Sequence, residues 1–337
     1  MYGTRDVKRI LTGIKPTGSP HIGNYLGAIR PALALASLPD TTAMYFIADY
    51  HALTTVHDGK QMDQLTREVA ATWIAFGLDP AKTLFYRQSD VPETFELAWI
   101  LACFTSKGWM NKMHAYKAHL DASQEADKDA GINIGVYTYP VLMAADILLF
   151  DADFVPVGKD QVQHVEIARD MAQRLNHTYK AELLKLPAAK IEEHTAVVPG
   201  LDGRKMSKSY DNTIPLLAPA KQIRKTVMKL VTDSTPPEAP KDPDKSVIFD
   251  LYKLFAKPEQ VAELRKRYET GIGWGDAKGA LADAIEATVA EPRKIYDDLM
   301  ADRVRLDGLL AQGGEQARAY AGPVLKRVRD AIGLERT

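Results

Sequence analysis

Cysteine is almost missing from this chain of 337 residues: Cys103 stands alone. One thiol excludes an intramolecular disulfide, and it leaves no ligand set for an iron–sulfur cluster or a four-cysteine structural zinc. Surplus charge is missing too. The 43 Lys and Arg balance 44 Asp and Glu, a formal net charge of −1, so only a local basic patch can meet a polyanion. Long apolar runs are lacking: YPVLMAADILLF at 139–150 is too short to span a bilayer and carries Asp146. The N-terminal MYGTRDVKRI is polar and charged, without the apolar core of a secretory signal. These absences predict a soluble protein of the reducing cytoplasm with no membrane partner. Neither GxGxxG spacing nor a GK[ST] ending is found, so dinucleotide and P-loop chemistry have no support.

What is there reads as an ordinary globular chain, 46% hydrophobic and 26% charged, long enough for a large domain and a smaller one. Short β-rich runs at 9–14, 43–48, 83–87 and 154–157 alternate with helix-length amphipathic runs. In KQMDQLTREVAATWIAFGLDP, for instance, Leu65, Val69, Trp73 and Phe76 recur at helical spacing. This rhythm predicts an α/β fold, a Rossmann-like doubly wound parallel sheet, with ligands beyond the carboxyl ends of its strands. The polar stretch at 107–135 reads as an insertion. From about 217 strand signals vanish and helical patterns dominate. Three parts are expected: an α/β domain at 1–216, a helical domain at 217–300, and C-terminal helices at 301–337 that can pack back on the first.

Two loops carry the chemistry. PTGSPHIGN at 16–24 follows the first strand and leads into a helix read as starting near Tyr25 and ending at its proline. Gly18 and Gly23 let backbone approach a ligand, and a helix N-terminus favours phosphate. His21 and Asn24, three apart, would share a face. Taken alone, the loop fits an ordinary strand-to-helix turn equally well. The second, GLDGRKMSKSYDN, sets Arg204, Lys205 and Lys208 among small polar residues. Its ammonium groups suit phosphate oxygens and could stabilise a leaving pyrophosphate; a solvated basic turn is the plain alternative.

A third run, TYPVLMAADILLF, puts Tyr139, Met143, Asp146 and Phe150 on one helical face. An aspartate on an apolar face needs a partner: either a nearby cation or amide, or a bound ligand that only donates, such as an indole N–H. A thioether like Met143 tolerates an aromatic edge. Asp160, after a strand and before a helix, suits an N-cap as readily as a ribose hydroxyl.

Read together, these words resemble the class I aminoacyl-tRNA synthetases. PTGSPHIGN is similar to the family's HIGH element in a HIGN form, and KMSKS at 205–209 is its second signature unchanged. TYPVLMAADILLFDADFVPVGKDQVQHVEIARD at 138–170 and IADYHALT at 47–54 resemble the bacterial tryptophanyl-tRNA synthetases, with likeness from about residue 9 to the C-terminus. The MAADIL and VGKDQVQH words disfavour the tyrosyl enzymes. A small-molecule nucleotidylyltransferase or a non-catalytic RNA-binding relative are the other readings.

The resemblance implies a ligase that activates L-tryptophan with ATP and Mg²⁺ and then charges tRNA(Trp), usually as a homodimer. It implies that His21, Asn24, Lys205, Lys208 and a third mobile lysine, Lys117 (alternatively Lys112), act on the phosphates. Gly23 would leave room for adenine, Gly158 and Asp160 would meet the ribose, and Met206 and Ser207 would complete the ATP loop. Lys15 stands where many relatives carry glutamine, so a carboxylate or a phosphate is its expected contact. His51, Tyr139, Met143, Asp146 and Gln161 would form the tryptophan pocket. Residues 217–300 would bind the anticodon. There Lys221, Lys225 and Lys229 form a helical stripe opposite Ile223, Val227 and Leu230, within a segment, 217–267, holding 11 Lys or Arg against 7 Asp or Glu; a solvated face is the plain reading of that stripe.

Overall fold

The computed structural model describes residues 7–113, 116, 132–158, 161–191 and 198–334. Five strands form one parallel sheet: β1 (Lys8–Ile14), β2 (Thr41–Ile47), β3 (Leu84–Arg87), β4 (Phe154–Val157) and β5 (Ala188–Ile191), in the order β3-β2-β1-β4-β5. The four predicted strands are present. The fifth, AAKI, has too little β-branching and too short a run to stand out in sequence. Strand β1 pairs with β2 along its whole length, from Lys8 opposite Thr41 to Ile14 opposite Ile47. The chain first winds outward from β1 to β2 and β3, then returns to β1's other side for β4. The switch point therefore lies between β1 and β4, where a crevice must open at the carboxyl ends.

Both faces of the sheet are covered, and β2 shows why its run TTAMYFI is apolar throughout. Met44 and Phe46 enter one core, and Ala43, Tyr45 and Ile47 enter the other. Helix α1 occupies 22–36, beginning as Ile22–Asn24, opening into a π turn at Tyr25–Ile29 and closing as Arg30–Ala36. It thus starts earlier than Tyr25 and runs through Pro31 instead of stopping there. Proline lacks an N–H and crowds the carbonyl four residues back; the wider π turn just before it accommodates both. Helices α2 (Gly59–Ala75), α3 (Glu93–Cys103), α4 (Ile134–Leu148) and α5 (Val162–Tyr179) complete the layers.

Beyond 217 the described residues are helical: α6 (Ala220–Val227), α7 (Val247–Lys253), α8 (Pro258–Thr270), α9 (Trp274–Ala301) and α10 (Arg303–Ile332). A separate core joins α6 to α9 with Ile22, Leu26 and Met206, so both loops of interest rest on it. The long α9 packs on α2, and α10 returns to lie along β3 and α3.

Candidate active site

A cleft of about 390 Å³ opens at the switch point. Gly13 from β1, Gly158 after β4, Tyr139, Met143 and Asp146 from α4, and Gln161 before α5 line it. Five residues singled out from the sequence thus meet at one cavity. Asp160 and Lys117 lie outside the described residues.

Asp146 is the buried centre of the apolar end, 2% exposed. Gln88 Nε2 donates to both of its oxygens, at 2.8 and 2.9 Å. His51 Nε2 lies 2.8 Å from Oδ2, and because a carboxylate only accepts, that nitrogen carries the hydrogen. Gln88 Oε1 accepts the His51 backbone N–H at 3.3 Å, which closes the triad. Burial pushes the Asp146 pKa above the ordinary carboxylate range, against the pull of His51 and Gln88. The His51 ring lies 4.2 Å from the Tyr139 ring, centroid to centroid. Gln88 was missed in the sequence reading: QSD after a strand looks like a turn, and only the tertiary fold turns that glutamine inward.

At the polar end, Lys15 Nζ donates to Thr54 Oγ1 at 2.8 Å and stands 5.8 Å from the centre of the Tyr139 ring. Burial lowers its pKa. Gln161 Oε1 accepts from His164 Nδ1 at 2.8 Å, so that imidazole nitrogen carries the hydrogen. The Gln161 backbone N–H donates to Gly158 O at 2.9 Å.

The first loop ends where His21 caps α1. Its backbone N–H donates to Asn24 Oδ1 at 3.0 Å, leaving the Asn24 amide NH₂ as a donor. His21 is buried, and its Nδ1 has no hydrogen-bond partner among the described residues. Burial, and then the nearby Lys208 charge, lower its pKa to about 4. The ring is therefore neutral at pH 7. A Cβ on Gly23 would come within 2.9 Å of that ring and 3.4 Å of Met206 Cβ. In this arrangement the glycine makes room for His21 and the lysine loop.

The lysine loop is tied to the first loop through backbone. Ile22 N–H donates to Ile214 O at 3.0 Å, and Leu216 N–H to Pro20 O at 3.3 Å. Within the loop Asn212 is the fastener: its Oδ1 accepts Ser207 N–H at 2.8 Å, and its Nδ2 donates to Asp202 Oδ1 at 2.7 Å and Lys205 O at 3.1 Å. Met206 plugs the core, whereas Lys205 and Lys208 are exposed. Gly18 adopts a φ of +141°, and a Cβ there would sit 2.8 Å from Lys208 Nζ. The two loops predicted to share a ligand are thus neighbours, with Lys208 lying over the first.

A parallel sheet in this order, with a HIGN loop after its first strand and the segment that follows KMSKS bonded to that loop through backbone, is the architecture of a class I aminoacyl-tRNA synthetase. The comparisons agree: the family described as tRNA synthetases class I (W and Y) matches residues 4–290, and the chain belongs to it. A tryptophan–tRNA ligase of Neisseria meningitidis is 51% identical over 330 residues, covering 97% of this chain and 98% of that one. The tryptophanyl-tRNA synthetase of Campylobacter jejuni, solved in complex with ADP and tryptophan, superposes with a TM-score of 0.90 at 42% identity, covering 97% of this chain and 100% of the other. A tyrosyl-tRNA synthetase of Archaeoglobus fulgidus, at 21% identity and a TM-score of 0.63 over 86% of this chain and 90% of its own, shares the fold alone.

Proposed function

We infer that the protein is a tryptophan–tRNA ligase, which joins L-tryptophan to ATP as the adenylate and then passes it to the terminal ribose of tRNA(Trp). The observation that carries this reading is the cleft at the switch point with the buried carboxylate of Asp146 in its lining, together with two neighbouring loops of phosphate-binding character. Asp146 accepts the indole N–H, held in place by Gln88 and His51, with Met143 against the ring. Tyr139, Gln161 and Lys15 hold the amino acid's polar end.

The tryptophan carboxylate attacks the ATP α-phosphorus, a P–O bond forms, and the bond to the β-phosphate oxygen breaks to release pyrophosphate. The nucleophile is already ionised, so no general base is needed; positioning and charge stabilisation drive the step. His21 and Asn24 bond the phosphates from the first loop, and Lys205 and Lys208 close from the other side with Lys117. Gly158 and Asp160 take the ribose, and Met206 and Ser207 shape the lysine loop. Mg²⁺ would accompany the triphosphate and neutralise part of its charge, beside the ammonium groups of Lys205 and Lys208.

The helical segment 217–300 receives the anticodon, with Lys221 and Lys225 exposed on α6, Lys229 exposed in the turn after it, and Ile223, Val227 and Leu230 buried behind them. A homodimer belongs to this reading; Trp99 and Ile134, 73% and 74% exposed, offer apolar surface of the kind subunits cover. So does a cytoplasmic setting, where its tRNA is charged. No helix among the described residues is long and apolar enough to cross a membrane. Charging of tRNA(Trp) with labelled tryptophan tests the reading. Charging with tyrosine instead would move the protein to the sister specificity.

A further inference from the structure

The lysine loop is threaded around one buried side chain. Asn212 is 2% exposed, and both hydrogens of its amide are spent, one on Asp202 Oδ1 ahead of the motif and one on Lys205 O within it. Its Oδ1 takes the Ser207 N–H, and its backbone carbonyl accepts from Leu201 N–H at 2.9 Å. The chain is shaped to receive this amide. A Cβ on Gly200 would stand 2.3 Å from Asn212 Nδ2, so only glycine leaves the space.

The same contacts sort the three cations of the loop. Asp202 Oδ2 takes the Arg204 guanidinium, with Nη2 at 2.6 Å and Nε at 2.7 Å, and that guanidinium lies 4.4 Å from the centre of the Tyr210 ring. Arg204 is thus occupied inside the loop, whereas Lys205 and Lys208 are exposed. Each lysine is rooted beside an Asn212 contact. Lys205 gives its own carbonyl to the amide, and Ser207, bonded to Asn212, caps the short turn Lys208–Tyr210 by accepting Ser209 N–H at 3.3 Å. Between them Met206 is anchored in the helical core, its N–H donated to Val198 O at 2.8 Å.

We propose that Asn212 is a positioning residue for adenylate formation: its amide holds residues 202–207 as one piece, so that Lys205 and Lys208 meet the leaving pyrophosphate together. The inference rests on the reading of the cleft as an ATP site. Two ammonium groups stabilise the charge growing on the leaving phosphates only as far as both are in place when it grows. A loop whose segments moved independently would have to be ordered at the moment of reaction, and that cost would add to the barrier. The amide does the ordering beforehand. Asn212 is not part of the cleft lining and acts through the two lysines, so its loss falls on the chemical step and spares the tryptophan pocket.

The test uses the full chain and Asn212→Asp, which keeps the shape and the acceptor for Ser207 but sets an oxygen against Asp202 and Lys205 O. At saturating ATP and tryptophan, pyrophosphate exchange should slow roughly 10- to 100-fold, while equilibrium affinity for tryptophan keeps its wild-type value. Adding Asp202→Asn returns a donor to the pair and should recover roughly threefold or more of the rate. With Lys205 and Lys208 both replaced by alanine, Asn212→Asp should leave the residual rate unaltered, whereas a merely structural role would lower it by the same factor. If Asn212→Asp does not fold, Asp202→Ala, on the exposed arm of the loop, removes one of the bonds from the other side and should slow exchange roughly threefold to tenfold. An unchanged exchange rate in the folded variant, or an equal loss without the lysines, would overturn the proposal. A wild type that exchanges pyrophosphate with no amino acid would overturn the ATP reading itself.

Discussion

Asp146 shows how far a single residue can be read. An aspartate among YPVLM and ILLF was conspicuous in sequence because charge on an apolar helix face demands an explanation. Its partners were less legible: His51 resembles any structural histidine, and Gln88 carries no local signal. Asp146→Asn is expected to lower kcat/KM for tryptophan roughly 10- to 100-fold, the loss of a hydrogen bond to a charged group. KM for ATP should stay near its wild-type value, since the phosphate loops do not touch this carboxylate; steady-state kinetics separates the two. His21 adds a pH dependence. Its folded pKa, about 4, lies below the ordinary value of 6.5, so between those values the unfolded chain binds the extra proton and stability falls as pH drops. Above pH 7 both states are neutral and the contribution vanishes. Denaturant unfolding of His21→Gln should show a shallower loss of stability from pH 6.5 to 4 than the wild type.

At the scale of elements, helix α1 and strand β5 mark the limits of pattern reading. Pro31 suggested a helix end, yet the π turn before it lets the helix continue, and no local pattern announces such a turn. Strand β5 is recognised by its pairing with β4, from Phe154 opposite Ala188 onward, which is a tertiary fact. Helix α6 was more legible: Lys221 and Lys225 lie exposed and Ile223 and Val227 buried as the period requires, but the helix ends at Val227, so Lys229 and Leu230, expected on the same helix, are exposed and buried in the turn beyond it. Replacing Lys221, Lys225 and Lys229 together by glutamine should weaken tRNA binding and flatten its salt dependence by roughly two units of slope. Amino-acid activation without tRNA should be unaffected. An unchanged salt slope would assign the stripe to solvent.

At the scale of the whole molecule, α10 closes the sheet. It lies so near the edge of β3 that a Cβ on Gly313 would stand 1.8 Å from Phe85 O, and one on Gly314 would be 2.6 Å from Asp90 Cβ. Only glycine permits that approach, and the helix covers a strand edge that would otherwise invite pairing. Gly313→Val should cost at least about 1–3 kcal/mol and lower Tm by several degrees. Gly308→Ala, on the same helix with nothing within 4 Å of its missing Cβ, should be neutral or slightly stabilising. Calorimetry of the two variants distinguishes close packing from a general intolerance of the helix. We propose that this return of α10 joins the 301–337 segment to the 1–216 domain, with 217–300 as the helical unit between them.

The cleft is expected to activate tryptophan with ATP. Pyrophosphate exchange into ATP, measured without tRNA across all twenty amino acids with Mg²⁺ present, tests it most directly. Exchange with tryptophan alone, lost or strongly weakened in Asp146→Asn, is the predicted result. Exchange with tyrosine, or no exchange with any amino acid by a folded sample, would contradict it.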